Sequence, residues 1–359
     1  MKALLKFLDN NFGRLVCALF RPLPCCDVGK LQKILVIRPG GIGDAVLLLP
    51  MLHELALLHP DAQIDVLAEN RNSEVFGWSP VVSTIWQYDC PNNFLSLFQQ
   101  RYDLIIDTEQ WYHLSAMVTR LLAAPRSIGF ATNTRSRLFT DSRPYHQERY
   151  EAEMFLELLE PLRNGAFEST RPRAEVLVLT QAGFKCGNPY IVIFPGASVV
   201  TKQWPAERYA EVARYCEDSG FEIVIVGGKT DIRSGEVVSR TLRHFHNLVG
   251  KTTLTDSASI IAGSVLMISG DSGLLHVAQL LKIPTVAIFG PSNIKKWLRE
   301  GDKHVVVSAG FTCAPCSLYG TIPKCHHGFQ CMQDISVDMV ITAVSCLMKK
   351  TGATIADCP

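Results

Sequence analysis

Four segments of this chain set chemically capable side chains where apolar runs give way to glycine. The first, Arg38-Pro39-Gly40-Gly41-Ile42-Gly43-Asp44, presents the Asp44 carboxylate at a helix start. Gly41 and Gly43 beside it let another molecule approach the backbone. A carboxylate so placed can take a proton from a hydroxyl, although a helix cap explains the same residue. The segment is not a dinucleotide fingerprint, since the third glycine of G-x-G-x-x-G would fall at Val46. It also lacks the Gly-Lys-Ser/Thr ending of a P-loop.

The second segment, Phe194-Pro195-Gly196-Ala197-Ser198, leads into Thr201-Lys202-Gln203-Trp204-Pro205. The Gly196 amide, the Thr201 hydroxyl and the Lys202 ammonium together could cradle a phosphate; a solvated lysine is the plain alternative. In the third, Ser269-Gly270-Asp271-Ser272-Gly273-Leu274-Leu275-His276, the amides of Ser272 and Gly273 lead a helix and suit an anion. Asp271 or Ser272 serves as its cap, and His276, four residues after Ser272, faces the same ligand. The fourth pairs Gly227-Gly228-Lys229 with Gly250-Lys251-Thr252, with Asp231 and Glu236 near enough to meet ribose hydroxyls. Several anion-suited loops on one sheet edge point to a diphosphate. The Asp44 loop opposite suggests chemistry across a cleft, as in a nucleotide-sugar transferase whose second domain holds the leaving nucleotide.

These loops need strands and helices to position them. Lys33–Arg38 is a short β-branched run of the kind buried in a parallel sheet. A helix from about Ala45 to Leu58 follows it, then strands at Ile64–Ala68, Thr84–Gln87 and Asp103–Asp107. A polar stretch from Thr132 to Arg149 reads as a loop, Glu151–Leu162 as a helix and Asn164–Arg173 as a linker. Beyond it, strands are predicted at Tyr190–Phe194, Glu222–Val226, Val265–Ser269, Thr285–Phe289 and His304–Val307. Helices fit Ala206–Ser219, Arg233–Arg243, Thr255–Ala262, Gly273–Leu280 and Ser336–Met348. Such alternation makes an α/β protein of two doubly wound, Rossmann-like domains in tandem. The expected division is an N-terminal helix and linker over 1–30, an acceptor-side domain over 31–170 and a nucleotide-sugar domain over 171–359.

A chain of 359 residues exceeds what one core usually organises. With 47% hydrophobic and 19% charged residues it reads as a soluble globular enzyme, and a net charge of +1 gives no global pull toward nucleic acid. Residues 1–21 carry Leu4, Leu5, Leu8, Phe12, Leu15, Val16 and Leu19 on one helical face, stopped by Arg21-Pro22-Leu23-Pro24. That helix either packs on its own domain or lies on the inner membrane surface with its basic residues near lipid phosphates. Lys6, Asp9, Asn10, Asn11 and Arg14 interrupt it, which does not suit a signal peptide and points to the cytoplasm.

Taken together, the segments ILVIRPGGIGDAVLLLP, YDLIIDTEQ, PGASVVTKQWPAERYAEVA, NLVGKTTLTD and SGDSGLLHVAQLLKIPTVAIFGPSNIKKW resemble glycosyltransferase family 9, the heptosyltransferase family, in content, order and spacing. The resemblance runs from about residue 33 to 345. It implies a GT-B fold with two domains facing a central cleft. It also implies a metal-independent inverting enzyme moving heptose from ADP-heptose onto the lipopolysaccharide core. By position, Asp44 falls on the family's catalytic base and Lys202 on the lysine that neutralises the departing diphosphate. Asp271, Ser272, Gly273 and His276 fall around the phosphates, and Gly250, Lys251 and Thr252 border the adenine. The partners implied are a nucleotide-sugar and a lipid-linked saccharide, with no cofactor required.

The segment Asp107-Thr108-Glu109-Gln110-Trp111-Tyr112-His113 departs from the Asp-x-Gln-Gly of many members, which leaves donor sugar and acceptor open. Glu109 and His146 are the acceptor-side candidates. Another nucleotide-sugar donor, or a nucleotide-sugar-binding protein without catalysis, are the rival functions. Finally, Cys313, Cys316, Cys325 and Cys331 are spaced like ligands of a structural zinc, or are plain reduced thiols.

Overall fold

A computed structural model describes residues 9, 13–20, 24, 29–163, 179, 184–299 and 301–351. The chain divides into two compact units, Met1–Val178 and Leu179–Pro359. The expected linker at 164–173 lies outside the described residues, as does most of the N-terminal segment.

The first unit holds a six-stranded parallel sheet: β1 Lys33–Ile37, β2 Gln63–Ala68, β3 Val82–Gln87, β4 Leu104–Asp107, β5 Arg126–Phe130 and β6 Asp141–Arg143. Its order is β3-β2-β1-β4-β5-β6, so the winding reverses between β1 and β4. The two central strands read KILVI and LIID and are buried almost throughout, as strands covered on both faces must be. Each such fully buried Ile, Leu or Val contributes about 1.5–3 kcal/mol. Ile37 pairs with Asp107 in register, which brings Arg38 and Thr108 out side by side.

The second unit repeats the plan with β7 Tyr190–Phe194, β8 Glu222–Ile225, β9 Phe245–Asn247, β10 Leu266–Gly270, β11 Thr285–Ile288 and β12 His304–Val307. The order β12-β11-β10-β7-β8-β9 is the same winding, with its reversal between β7 and β10. Ser269 pairs with Phe194, so the loops after these two strands also emerge together.

Three strands were not expected from the sequence. β6 lies in the stretch read as a loop, where Asp141, Ser142 and Arg143 pair with Ile128, Gly129 and Phe130. It carries no apolar alternation: it is a three-residue edge strand whose Asp141 pairs with Arg126 at 3.1 Å and whose Arg143 pairs with Glu160 at 2.8 Å. β9 is the corresponding edge of the second sheet, and β5 reads RSIGF, whose Arg126, Ser127 and Gly129 break up any apolar run. The helix expected over 151–162 ends at Glu157 and continues as a 3-10 turn at Glu160–Leu162, since Pro161 cannot donate to a longer helix.

Of the N-terminal segment, Arg14–Leu19 is helical. Asp9 is 1% exposed; its Oδ1 accepts from the Leu114 amide at 2.7 Å and its Oδ2 meets His113 Nδ1 at 3.2 Å. Cys17 packs with Ala116, Leu138 and Phe139. The described part of this segment is therefore docked on its own unit, where Asp9 bonds the first turn of the helix His113–Leu122. Among the described residues no helix is long and apolar enough to cross a membrane.

Candidate active site

In open α/β sheets, ligands bind where the winding reverses, at the carboxyl ends of the strands. In the first unit that point is occupied by a buried polar network centred on Arg38. Its Nη1 donates to the Thr108 carbonyl at 2.8 Å and its Nε to the Pro39 carbonyl at 2.7 Å. Nη2 stands 3.7 Å from Asp44 Oδ1 and 3.5 Å from Glu109 Oε2. Burial opposes the guanidinium charge, but Asp44, Glu109 and Glu151 outweigh it and raise its pKa.

Asp44 is not a cap. The helix runs Ile42–Leu58 with Gly41 as its N-cap and no side-chain capping bond, which places Asp44 inside the first turn. Its side chain is 20% exposed, so it is held by Arg38 yet reachable. A Cβ on Gly41 would stand 2.9 Å from Asp44 Oδ2, so the glycine keeps the space the carboxylate occupies. Gly40, at φ +115°, turns the loop, and its amide donates to Glu69 Oε1 at 3.1 Å. Gly43 lies one residue before Asp44 in the same turn.

The acceptor-side candidates separate. Glu109 is 6% exposed; its Oε1 accepts from the amides of Trp111 at 3.0 Å and Tyr112 at 3.4 Å, while Oε2 faces Arg38. Burial lifts its pKa despite Arg38 and Arg135. Glu109 thus shapes its own loop. His146 is exposed, and its carbonyl accepts from the Arg149 amide. Its neighbour Tyr145 instead joins the network, donating to Glu151 Oε2 at 2.7 Å, and Gln110 Nε2 bonds the other Glu151 oxygen.

Arg135 was not singled out by sequence. Fully buried, it pairs with Asp107 Oδ2 at 2.7 Å, bonds the carbonyls of Glu109 and Tyr112, and thereby fixes the whole 107–112 loop. Only its place among the arginines of a polar stretch was visible in the sequence.

In the second unit, Lys202 Nζ stands 2.5 Å from Asp271 Oδ2, and Ser292 Oγ donates to that same oxygen at 2.5 Å. The two strand-end loops at the reversal point are joined by this ion pair. Burial alone would raise Asp271, but the charges of Lys202 and His276 and the bonds from Lys202 and Ser292 hold it below the ordinary carboxylate range. Ser272, not Asp271, is the cap of the helix Gly273–Leu280: its Oγ accepts from the Leu275 amide at 3.2 Å. His276 is 3% exposed, with Trp297 beside its ring. Thr201 Oγ1 is buried and bonds no protein group among the described residues. Ser292, another residue not singled out by sequence, follows β11 in the Gly290-Pro291-Ser292 turn.

The glycine loops further along this edge also come together. Gly250, at φ +74°, donates its amide to the Gly227 carbonyl at 2.9 Å, and Gly228 donates to Asp231 Oδ2 at 2.9 Å. Asp231 packs against Gly196, where any Cβ would fall 2.4 Å from its Oδ1. Asp231 therefore closes a turn, and burial raises its pKa against the Gly228 amide. Glu236 is exposed. Lys251 Nζ donates to the Asn247 carbonyl at 2.8 Å, and Thr252 Oγ1 meets Ser257 Oγ at 2.9 Å.

Of the cysteine quartet, Cys331 is buried, Cys316 and Cys325 half-buried and Cys313 exposed. Burial, with a smaller contribution from the other thiols of the quartet, pushes Cys316 and Cys331 upward. Yet among the described residues the group with ligand atoms within 4.8 Å of one another is a different one, Cys186, Glu222 and His246.

Residues 94–327, more than half of the chain, match the family model described as glycosyltransferase family 9 (heptosyltransferase). Lipopolysaccharide heptosyltransferase 1 of Pseudomonas aeruginosa is 26% identical over 314 residues, covering 79% of this chain and 86% of that protein. Lipopolysaccharide heptosyltransferase 2 of Escherichia coli is 26% identical over 292 residues, covering 73% and 84%. The solved structure of the Escherichia coli ADP-heptose heptosyltransferase II superposes with a TM-score of 0.73 at 25% identity, covering 90% of this chain and 100% of that one.

Proposed function

The chain belongs to glycosyltransferase family 9, and from that premise we propose that it transfers heptose from ADP-heptose to a lipopolysaccharide core or related glycolipid, with inversion and without a metal. The observation that carries this reading is the Lys202–Asp271–Ser292 node at the reversal point of the second sheet, beside the buried Thr201 hydroxyl. A cation held by a carboxylate, a free hydroxyl and the leading amides Ser272 and Gly273 suit a diphosphate.

The reaction is a single displacement. Asp44 takes the proton of an acceptor hydroxyl while that oxygen bonds to the anomeric carbon. The bond from that carbon to the diphosphate oxygen breaks, and its electron pair leaves with ADP. Lys202, His276 and the two amides offset the charge that develops there. Attack opposite the departing oxygen inverts the anomeric centre. Gly196, Gly228, Gly250, Lys251 and Thr252 shape the nucleotide side, and Gly41 and Gly43 leave room around Asp44. A lipid-linked acceptor places the working enzyme at the cytoplasmic face of a membrane.

A structural zinc at Cys313, Cys316, Cys325 and Cys331 belongs to the same proposal. The all-sulfur donor set suits zinc, and a cation would relieve the mutual repulsion of the thiolates, although the sulfurs would have to draw closer than they stand. Metal content of protein purified without oxygen tests it; less than a tenth of an equivalent ends it.

Incubation with a panel of ADP-, UDP- and GDP-sugars and a lipid-linked core acceptor tests the main reading. Acceptor-dependent release of ADP from ADP-heptose, with an inverted product, is expected. Turnover confined to a UDP- or GDP-sugar would replace the donor assignment, and nucleotide-sugar binding without turnover would favour a sensor.

A further inference from the structure

β8 and β9 begin at the end of the second sheet opposite the loops described above, and a different cluster is assembled there. Ile223 pairs with Phe245 and Val224 with His246, so Glu222 and His246 are diagonal neighbours on one face of the sheet. The segment entering β7 brings Cys186 over them. Cys186 Sγ donates to Glu222 Oε2 at 3.0 Å, and His246 Nε2 meets the same oxygen at 3.1 Å. All three ligand atoms lie within 4.8 Å of one another, and all three residues are half-buried.

We propose that Cys186 Sγ, Glu222 Oε2 and His246 Nε2 form a zinc site with its fourth position open to water. The donor set is one thiolate, one carboxylate and one imidazole, which together neutralise a divalent cation and match the ligands zinc takes. With zinc bonds of about 2.0–2.3 Å, tetrahedral ligands stand roughly 3.3–3.8 Å apart. The three atoms need shift only slightly to admit the ion. The surroundings also fit a metal site: Asn188 Nδ2 donates to the outer oxygen Glu222 Oε1 at 2.6 Å and orients the carboxylate. Phe184 packs edge-on against the His246 ring, at 5.3 Å between centroids, and limits its rotation.

Zinc here would tie the segment before β7 to β8 and to the edge strand β9. The cluster shares no residue with the sugar-transfer machinery or the cysteine quartet. Full-length reduced protein, stripped with chelator, is titrated with zinc against a competing dye, alongside Cys186→Ser and His246→Ala. Each variant is expected to bind one equivalent fewer than the parent at micromolar zinc, with unchanged transfer activity. Zinc at the quartet is common to all three proteins and cancels. Cobalt should give a tetrahedral visible spectrum with a one-thiolate charge-transfer band that Cys186→Ser lacks. Equal stoichiometry and affinities within tenfold in the three proteins would overturn the site. The hydroxyl introduced by Cys186→Ser can still donate to Glu222, so that variant reads out binding even if His246→Ala fails to fold.

Discussion

Lys202 and Asp271 form a nearly buried ion pair, Nζ to Oδ2 2.5 Å, with side chains 15% and 7% exposed. The pair joins the loop after β7 to the loop after β10. Removing either charge should therefore affect both the fold and any ligand that Lys202 meets.

Lys202→Met should cost roughly 3–5 kcal/mol of stability, because it leaves a buried carboxylate without its cation. Lys202→Met/Asp271→Asn should recover most of that. If Lys202 also serves the diphosphate, the double variant stays about 10²–10³-fold slow while its urea midpoint returns. Restored turnover would confine Lys202 to a structural role.

The same carboxylate gives a pH dependence of definite sign. Asp271 is depressed in the folded protein, so between its folded pKa and the ordinary value of about 3.9 the unfolded chain binds more protons. The stability it contributes is complete above about pH 4 and is lost as pH falls toward the folded pKa. Denaturation midpoints from about pH 6 down to about pH 3 should fall less steeply in Asp271→Asn than in the parent. Parallel profiles would contradict this.

Asp44→Asn should lower kcat roughly 10²–10⁴-fold, the usual scale for a general base. Nucleotide affinity and thermal stability should change little, since the carboxylate is partly exposed and its ion pair with Arg38 is a long one. Near-normal turnover removes Asp44 from the chemistry.

Gly41→Ala offers a subtler test. The backbone at Gly41, φ −78° and ψ 161°, accepts alanine without strain. Its Cβ would nonetheless press on Asp44 Oδ2 at 2.9 Å, and the carboxylate is the part free to move. Reduced kcat with an unchanged melting temperature and unchanged donor affinity is expected. Full activity would show that the position of this carboxylate is not critical.

Arg135→Met leaves Asp107 buried alone, both side chains being 0% exposed in the parent. A loss of about 3–5 kcal/mol is expected by urea denaturation. Arg135→Met/Asp107→Leu should regain only part of it, because it removes the unpaired charge but leaves the carbonyls of Glu109 and Tyr112 and the Glu109 amide without their partners.

Local pattern alone determined a good deal. Apolar β-branched runs ending in glycine can scarcely be anything but buried parallel strands followed by ligand-edge loops. All the strands except β5, β6 and β9 were readable, together with the loops carrying Asp44, Lys202 and Asp271. Such a signal is carried by neighbours in the chain, which is why it survives without coordinates. β6 and β9 were not readable, because Asp141-Ser142-Arg143 and Phe245-His246-Asn247 are only three residues each and hold no apolar run.

Which polar group meets which was decided by tertiary structure. Arg135 reaches Asp107 across 28 residues, Lys202 reaches Asp271 across 69, and Ser292 bonds Asp271 from the turn after a third strand. The same cause gave Asp231 and Glu109 partners in their own loops, and left Asp44 held by Arg38 rather than capping its helix. A buried charge takes its partner from wherever the fold brings one, and sequence separation places almost no constraint on that choice.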